Sequence, residues 1–219
     1  LEVKQVDVSS DLSELGLEAS ARLHRYRALN SALEADEVLL CAHHQDDQAE
    51  TFLLQLMRGA GVCGLAGMAV LNENSTKKII RPLLKVSRNN LLAYATQHRL
   101  SWIEDDSNQD TVLSRNYIRH DVIPVLRQRW PAVCTLLSRA ADNCRDAETV
   151  IQQFAADDLR DLKKKESELL AVDEFGREYP CLPITGLKSL SLQRRANVIR
   201  FWLREQGVQM LSRSVMAQV

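Results

Sequence analysis

Glycine is scarce in this chain, eight in 219 residues, and no two are adjacent. The Gly-Gly pair, the G-x-x-x-x-G-K-[ST] loop and a strand-borne G-x-G-x-x-G turn are therefore all missing, so no complete phosphate cradle of these kinds is encoded. Gly59-x-Gly61-x-x-Gly64 has the last spacing but follows a helical pattern, not a strand. The five cysteines, Cys41, Cys63, Cys134, Cys144 and Cys181, are odd in number and widely spaced, with no Cys-x-x-Cys. That argues against a disulfide framework and a zinc site, and fits reduced thiols in a cytosol. No apolar run is long enough to span a bilayer, and no signal-peptide pattern opens the chain. Internal repeats and low-complexity tracts are absent as well.

What is present is ordinary for a soluble globular protein, 45% hydrophobic and 26% charged. The net charge of −1 conceals an asymmetry: residues 1–110 hold 11 Lys+Arg against 16 Asp+Glu, and residues 111–219 hold 17 against 13. From Lys188 to Arg213 six cations face only Glu205. A basic second half suggests a polyanion partner there, and a solvated charged surface explains the same count equally well. The chain opens on Leu1 in a strand-like run (Val3, Val6, Val8) and closes in what reads as the first turn of another helix, with Ser212 or Ser214 as cap. It is expected to be an internal portion of a longer protein.

The first half alternates strand and helix signals. Strands are expected over 1–8, 38–42, 79–84 (broken by Pro82) and 100–104, and helices over 17–33, 46–57 and from a Ser87 cap to 98. The helix over 46–57 spaces Phe52, Leu53, Leu56 and Met57 for one face. Such alternation predicts an α/β fold, a parallel sheet with crossover helices. After Asn116 strand signals nearly vanish. Helix is expected over 118–130 despite Pro124, over 131–162, and over 190–206 with Leu192, Ala196, Ile199, Trp202 and Leu203 inward and Arg194, Arg195 and Arg204 outward. Residues 169–182 read as irregular or a short hairpin. The expected domains are 1–130, catalytic, and 131–219, all-helical.

The densest chemistry follows the strand over 38–42. His43 and His44 end it, and Asp46, Asp47, Glu50 and Thr51 follow at once. Polar groups at the carboxyl end of a buried strand, feeding a helix N-terminus, mark where open α/β sheets hold ligands, and a phosphate there would meet unpaired N–H groups. Asp47, Glu50 and Thr51 share a helix face, suited to a magnesium ion or a polar substrate; helix capping accounts for one or two of the acids but does not call for the His pair. Arg58, Gly59 and Gly61 end the helix as a candidate phosphate-side loop, which is also an ordinary C-cap. A second polar cluster, Glu104-Asp105-Asp106-Ser107-Asn108 with Arg115 and Arg119, is expected on the same rim, either as a phosphate or base clamp or as ion pairs with those acids.

Ala42-His43-His44-Gln45-Asp46-Asp47-Gln48-Ala49-Glu50-Thr51, Arg58-Gly59-Ala60-Gly61, Arg25-Tyr26, Arg81-Pro82-Leu83, Trp102-Ile103-Glu104-Asp105-Asp106-Ser107-Asn108 and Arg115-Asn116 together closely resemble bacterial tRNA(Ile)-lysidine synthetases through about residue 131. The resemblance implies an N-type ATP pyrophosphatase domain (adenine nucleotide alpha hydrolase-like), followed by a helical domain and a further small domain. It implies a cytoplasmic ligase using ATP, magnesium and L-lysine on an isoleucine tRNA with a CAU anticodon. There the wobble cytidine is adenylated and lysine then displaces AMP to give lysidine. A homodimer is compatible with it. The family's Ser-Gly-Gly-x-Asp-Ser loop would lie upstream of Leu1, so the chain alone is expected to be inactive.

On this footing Asp47, Glu50, His44 and Arg115 are the candidate catalytic residues. His43, Asp46, Thr51, Arg58, Gly59, Gly61 and Arg119 are the candidate substrate-binding ones, and no protein-held metal site is assigned. A tRNA sulfur transferase of the same fold, a metal-dependent phosphohydrolase and a plain tRNA-binding module are the rivals.

Overall fold

The computed structural model describes residues 3–7, 17–34, 36–72, 78–103, 112–165, 170–172, 175 and 177–208. They fall into two compact units, Leu1–Arg145 and Asp146–Val219.

In the first unit α1 (Leu17–Ala32) precedes β1 (Leu39–Leu40), α2 (Gln45–Met57), the short α3 (Val62–Leu65), β2 (Leu71–Asn72), β3 (Ile79–Ile80) and α4 (Arg88–Gln97). Ser87 caps α4 as expected, its hydroxyl accepting the Asn90 N–H at 3.2 Å. The sheet runs β1-β3-β2. β1 pairs parallel with β3, Leu39 opposite Ile79, which is what a crossover between strands produces. β2 pairs antiparallel with β3, so this small sheet is mixed. The expected first strand is not formed in residues 3–7, where Val3 and Val6 lie three apart and cannot share a strand face. Residues 101–103 are likewise exposed and without strand, and 104–108 lie outside the described residues.

The segment expected as one helix from 118 to 130 is helical in two pieces, preceded by a short helix. α5 (Ser114–Tyr117) leads into a π-turn (Ile118–Val122), and α6 (Ile123–Arg129) follows with Pro124 in its first turn. The core of this unit joins α2 to that segment: Ala49 and Leu53 pack with Ile118, Ile123, Val133 and Cys134. Ala49, Leu53 and Phe52 are spaced three and four apart, a single buried stripe. Leu56 and Met57, expected on the same face, are 43% and 74% exposed, because the packed partners cover only the first turns of α2.

α7 (Val133–Lys165) is a 33-residue helix, and the division between the units falls within it. Composition changes near residue 130, but Val133, Cys134 and Leu137 still pack into the first core, which carries the start of α7 with it. The second unit adds the antiparallel hairpin β4 (Leu170–Val172) and β5 (Glu178–Pro180), then α8 (Ile184–Lys188) and α9 (Leu192–Glu205). It is therefore helical with a hairpin rather than all-helical. Its core is Leu159, Leu162 and Val198, flanked by Leu182, Leu187, Phe201 and Trp202. α9 keeps most of the expected inward face: Ile199 is buried and Trp202 packs on the core, joined by the fully buried Val198, while Leu192 in its first turn is 71% exposed. Arg194 stays exposed, as expected, while its Nε donates to the buried Asp158 Oδ2 at 2.9 Å.

One buried amide fixes the glycine-rich connection. The Gln48 side chain donates to the Met68 carbonyl at 2.9 Å and accepts the Met68 N–H at 2.8 Å, as a neighbouring strand would. Gly67, at φ +60, passes directly over it; a Cβ there would sit 2.8 Å from Gln48 Oε1. Replacing Gln48 by Leu leaves the Met68 N–H buried and unpaired, so the expected cost is about 2–3 kcal/mol, read as a lower urea midpoint with an unchanged slope.

Candidate active site

The site is built around the first turns of α2. His44 is its N-cap, with Nδ1 accepting the Asp47 N–H at 3.4 Å while the His44 N–H donates to Asp47 Oδ2 at 2.9 Å. This is a capping box with imidazole in the place of a hydroxyl. The helix start is thus already satisfied by side chains and lined with acids. An anion placed there would meet carboxylates instead of free N–H groups, which corrects the expectation of a phosphate at this helix end.

The three acids have three different surroundings. Glu50 is 1% exposed. Its Oε1 accepts Arg119 Nε at 2.6 Å, and its Oε2 accepts Arg115 Nε at 2.7 Å and Arg119 Nη2 at 3.0 Å. Asp47 takes weaker contacts, Oδ1 accepting Arg115 Nη2 at 3.2 Å and Arg119 Nη2 at 3.4 Å. Asp46 points elsewhere: Oδ2 accepts the Arg88 N–H at 2.8 Å, where α4 begins, and Oδ1 accepts Arg127 Nη2. Burial pushes the Asp46 carboxyl up, but the Arg88 N–H and the Arg127 charge outweigh it and hold it below its usual range. Arg127 also donates to the Cys134 thiol at 3.1 Å.

Beside Asp47 lies a hollow of about 230 Å³, lined by Arg25, Tyr26 and Leu29 of α1 and by Cys41, Ala42, His43 and Asp47. Arg22 and Arg25 stack on the Tyr26 ring at 5.3 and 5.8 Å. His43 Nδ1 is buried with no hydrogen-bond partner among the described residues. Burial lowers this imidazole from 6.5 to about 4; Asp47 opposes the shift, while Arg81, Arg115 and Arg22 reinforce it. His43 is accordingly neutral at pH 7, a hydrogen-bonding wall of the hollow and not a cation.

Of the residues singled out in the sequence, His43, His44, Asp46, Asp47, Glu50, Arg115 and Arg119 converge here. Thr51 lies on the same side, with its hydroxyl donating to the Asp47 carbonyl at 2.8 Å. Arg58, Gly59 and Gly61 do not join them. They follow the far end of α2, about 17 Å along the axis from Asp47 at 1.5 Å per residue. Arg58 is the exposed C-cap, Gly59 has φ +69 and Gly61 begins α3. Not assigned roles from the sequence were Arg25, Tyr26, Leu29, Cys41 and Ala42 on the hollow, Gln48 on the Met68 backbone, and Arg127 on Asp46. Arg25-Tyr26 was visible as a motif, whereas nothing local marks Arg127, which lies 81 residues from its partner. Among the described residues no cluster of three His, Cys, Asp or Glu could hold a metal ion. No described helix is long and apolar enough to cross a membrane.

Residues 1–126 match the family model of the PP-loop domain, which implies an ATP-pyrophosphatase type of α/β domain. The chain belongs to the PP-loop domain family. Residues 182–219 match a second model, the TilS substrate binding domain. The chain is similar to the tRNA(Ile)-lysidine synthase of Serratia proteamaculans, 44% identical over 206 residues, covering 94% of this chain and 44% of that protein. It is 41% identical over 203 residues to the enzyme of that name from Coxiella burnetii (93% and 42% covered), and 43% over 196 residues to that of Legionella pneumophila strain Lens (90% and 42%). The chain thus spans less than half the length of the curated relatives it matches.

Two outcomes follow from the charges. Glu50→Ala strands two half-buried guanidiniums and is expected to cost about 3–5 kcal/mol, measured by chemical denaturation. His43, with its folded pKa below the unfolded value, contributes stability that is complete above about pH 6.5 and declines as pH falls toward 4, because the unfolded chain takes up the proton first. Over that window the urea midpoint should fall less steeply in His43→Gln than in the parent; equal slopes would mean His43 titrates normally.

Proposed function

We propose that this chain is the lysine-handling part of a ligase that converts the wobble cytidine of an isoleucine tRNA with a CAU anticodon to lysidine, using ATP and L-lysine. The observation that carries it is Asp47: a carboxylate held in place by Arg115 and Arg119, yet facing a hollow sized for a small ligand. The names of the relatives and both family matches support the same reading.

In this mechanism the base carbonyl oxygen attacks the α-phosphorus of ATP and pyrophosphate leaves. The resulting adenylate makes a poor leaving group into a good one. The ε-amine of lysine then attacks the same ring carbon, AMP departs and the amine gives up its proton. The amine must be neutral to attack. Asp47 accepts a hydrogen bond from lysine, and His43, uncharged and with a free acceptor nitrogen, receives an N–H from lysine or from the base. Arg115 and Arg119 set the position of Asp47 and offer positive charge to the adenylate. Glu50, with both oxygens occupied by arginines, acts as their anchor; His44 and Asp46 fix the start of α2.

Arg58, Gly59 and Gly61, at the other end of α2, are assigned to the nucleotide phosphates in this reading. Magnesium fits the phosphates of ATP better than these side chains, since each acid of the first turn faces arginine or backbone N–H and not a shared cavity. The reaction belongs in the cytoplasm, where charged and uncharged tRNA, lysine and ATP coexist.

The test uses the full-length protein that carries this chain. Labelled lysine should enter the tRNA in an ATP-dependent way and labelled sulfur should not; the reverse result would move the chain to the sulfur-transferring relatives of the fold. Asp47→Ala should reduce lysine incorporation at least about 100-fold, while the cap it loses costs only about 1 kcal/mol of stability. Lysidine formation at the parental rate by Asp47→Ala would remove Asp47 from the mechanism.

A further inference from the structure

The helix bearing the arginines of the site changes register midway. At Ile123 the backbone N–H donates to the carbonyl of Ile118, five residues back instead of four. Such a π-turn takes up one residue without advancing the phase of the helix. In an unbroken α-helix Arg119 and Arg127, eight positions apart, would point about 80° away from one another. With one residue absorbed between them, the difference shrinks to about 20°. The contacts agree with the smaller angle. Arg119 reaches Glu50, and Arg127 reaches Asp46, one helical turn earlier on α2.

Pro124 sits immediately after the turn. In a regular helix its ring would press on the carbonyl four residues earlier, that of His120. The wide turn moves that carbonyl away and fixes where the extra residue resides.

We propose that the π-turn at Ile118–Val122 is a phasing device: it brings Arg127 into line with Arg115 and Arg119, so that three guanidiniums of one helical segment grip the first two turns of α2. Arg127 is then a positioning residue acting through Asp46. Asp46 in turn ties the start of α4, through the Arg88 N–H, to the turn that presents Asp47 to the hollow. The inference concerns how the site is held and stands whatever ligand the hollow takes.

Three variants of the full chain test it, each by crystal structure and by carbon-detected titration of the Asp46 carboxyl. Pro124→Ala removes the ring but keeps the residue count; the wide turn and the Arg127–Asp46 pair should persist, and Asp46 should titrate as in the parent. Pro124→Ala combined with deletion of Asp121, an exposed residue of the turn, permits a continuous α-helix. There the absorbed residue is gone, so Arg127 should stay in line with Arg119, seven positions on in a regular helix, and the Asp46 carboxyl should titrate as in the parent; an Arg127 swung off Asp46 would overturn the inference. Arg127→Gln should shift Asp46 up with the wide turn unchanged, which serves if the deletion does not fold. Collapse of the turn to regular helix in Pro124→Ala would overturn the inference, making the turn a relief of proline strain alone. An Asp46 carboxyl unmoved in Arg127→Gln would overturn it too.

Discussion

Everything in the candidate site depends on one buried carboxylate. Glu50 is removed from water almost completely, a placement that costs several kcal/mol for an isolated ion. It is tolerated because two guanidiniums saturate both oxygens. That requirement couples elements far apart in sequence: α2 can take its place only if the segment from Ser114 onward lies alongside, with Arg115 and Arg119 turned inward. The apolar contacts of Ala49 and Leu53 with Ile118 and Ile123 supply favourable burial on the same seam. Burial holds the two elements together, and the carboxylate determines their register.

Around that anchor the phase of α2 sorts its acids. At about 100° per residue Asp46 and Asp47 lie about 100° apart, with Glu50 between them one turn on, so the first two turns offer one carboxylate to the buried seam, one to the hollow and one to a neighbouring helix. Glu50 is spent on structure and Asp46 on tying α4 and Arg127. Asp47 alone combines a fixed position with access to the hollow. The same geometry disposes of the helix dipole as an anion trap, because the positive end of α2 is already matched by its own acids and the capping box.

The sequence showed the helices well, since Ser87, Gly207 and the 3–4 spacing of apolar residues are local signals. It showed the acids and histidines as a cluster for the same reason. The sheet was less legible. β1 and β3 fall within expected strands, but β2 has only two residues, too short for alternation to register, and its antiparallel run follows from the path of the connection held by Gln48 and Arg145. The expected pairing of Arg115 and Arg119 with residues 104–108 lies outside the described residues; what is described is their pairing with Asp47 and Glu50. A π-turn leaves no pattern in composition, and Pro124 signalled only an irregularity of unspecified kind.

Charge counting shows the same limit from another direction. The basic excess of the second half suggested a surface for a polyanion, yet its cations are not all free to meet one. Arg194 is drawn to the buried Asp158, Arg195 donates to the Leu187 carbonyl at 3.1 Å, and Arg204 lies 3.7 Å from Glu148. In the first unit Arg115, Arg119 and Arg127 are likewise bound to acids of α2. A guanidinium already paired with a carboxylate releases little counterion free energy on meeting phosphate, because its charge is matched beforehand. A polyanion meeting this chain would therefore have to draw on cations that the fold leaves unmatched, a smaller and more specific set than the sequence tally of 28 Lys+Arg implies.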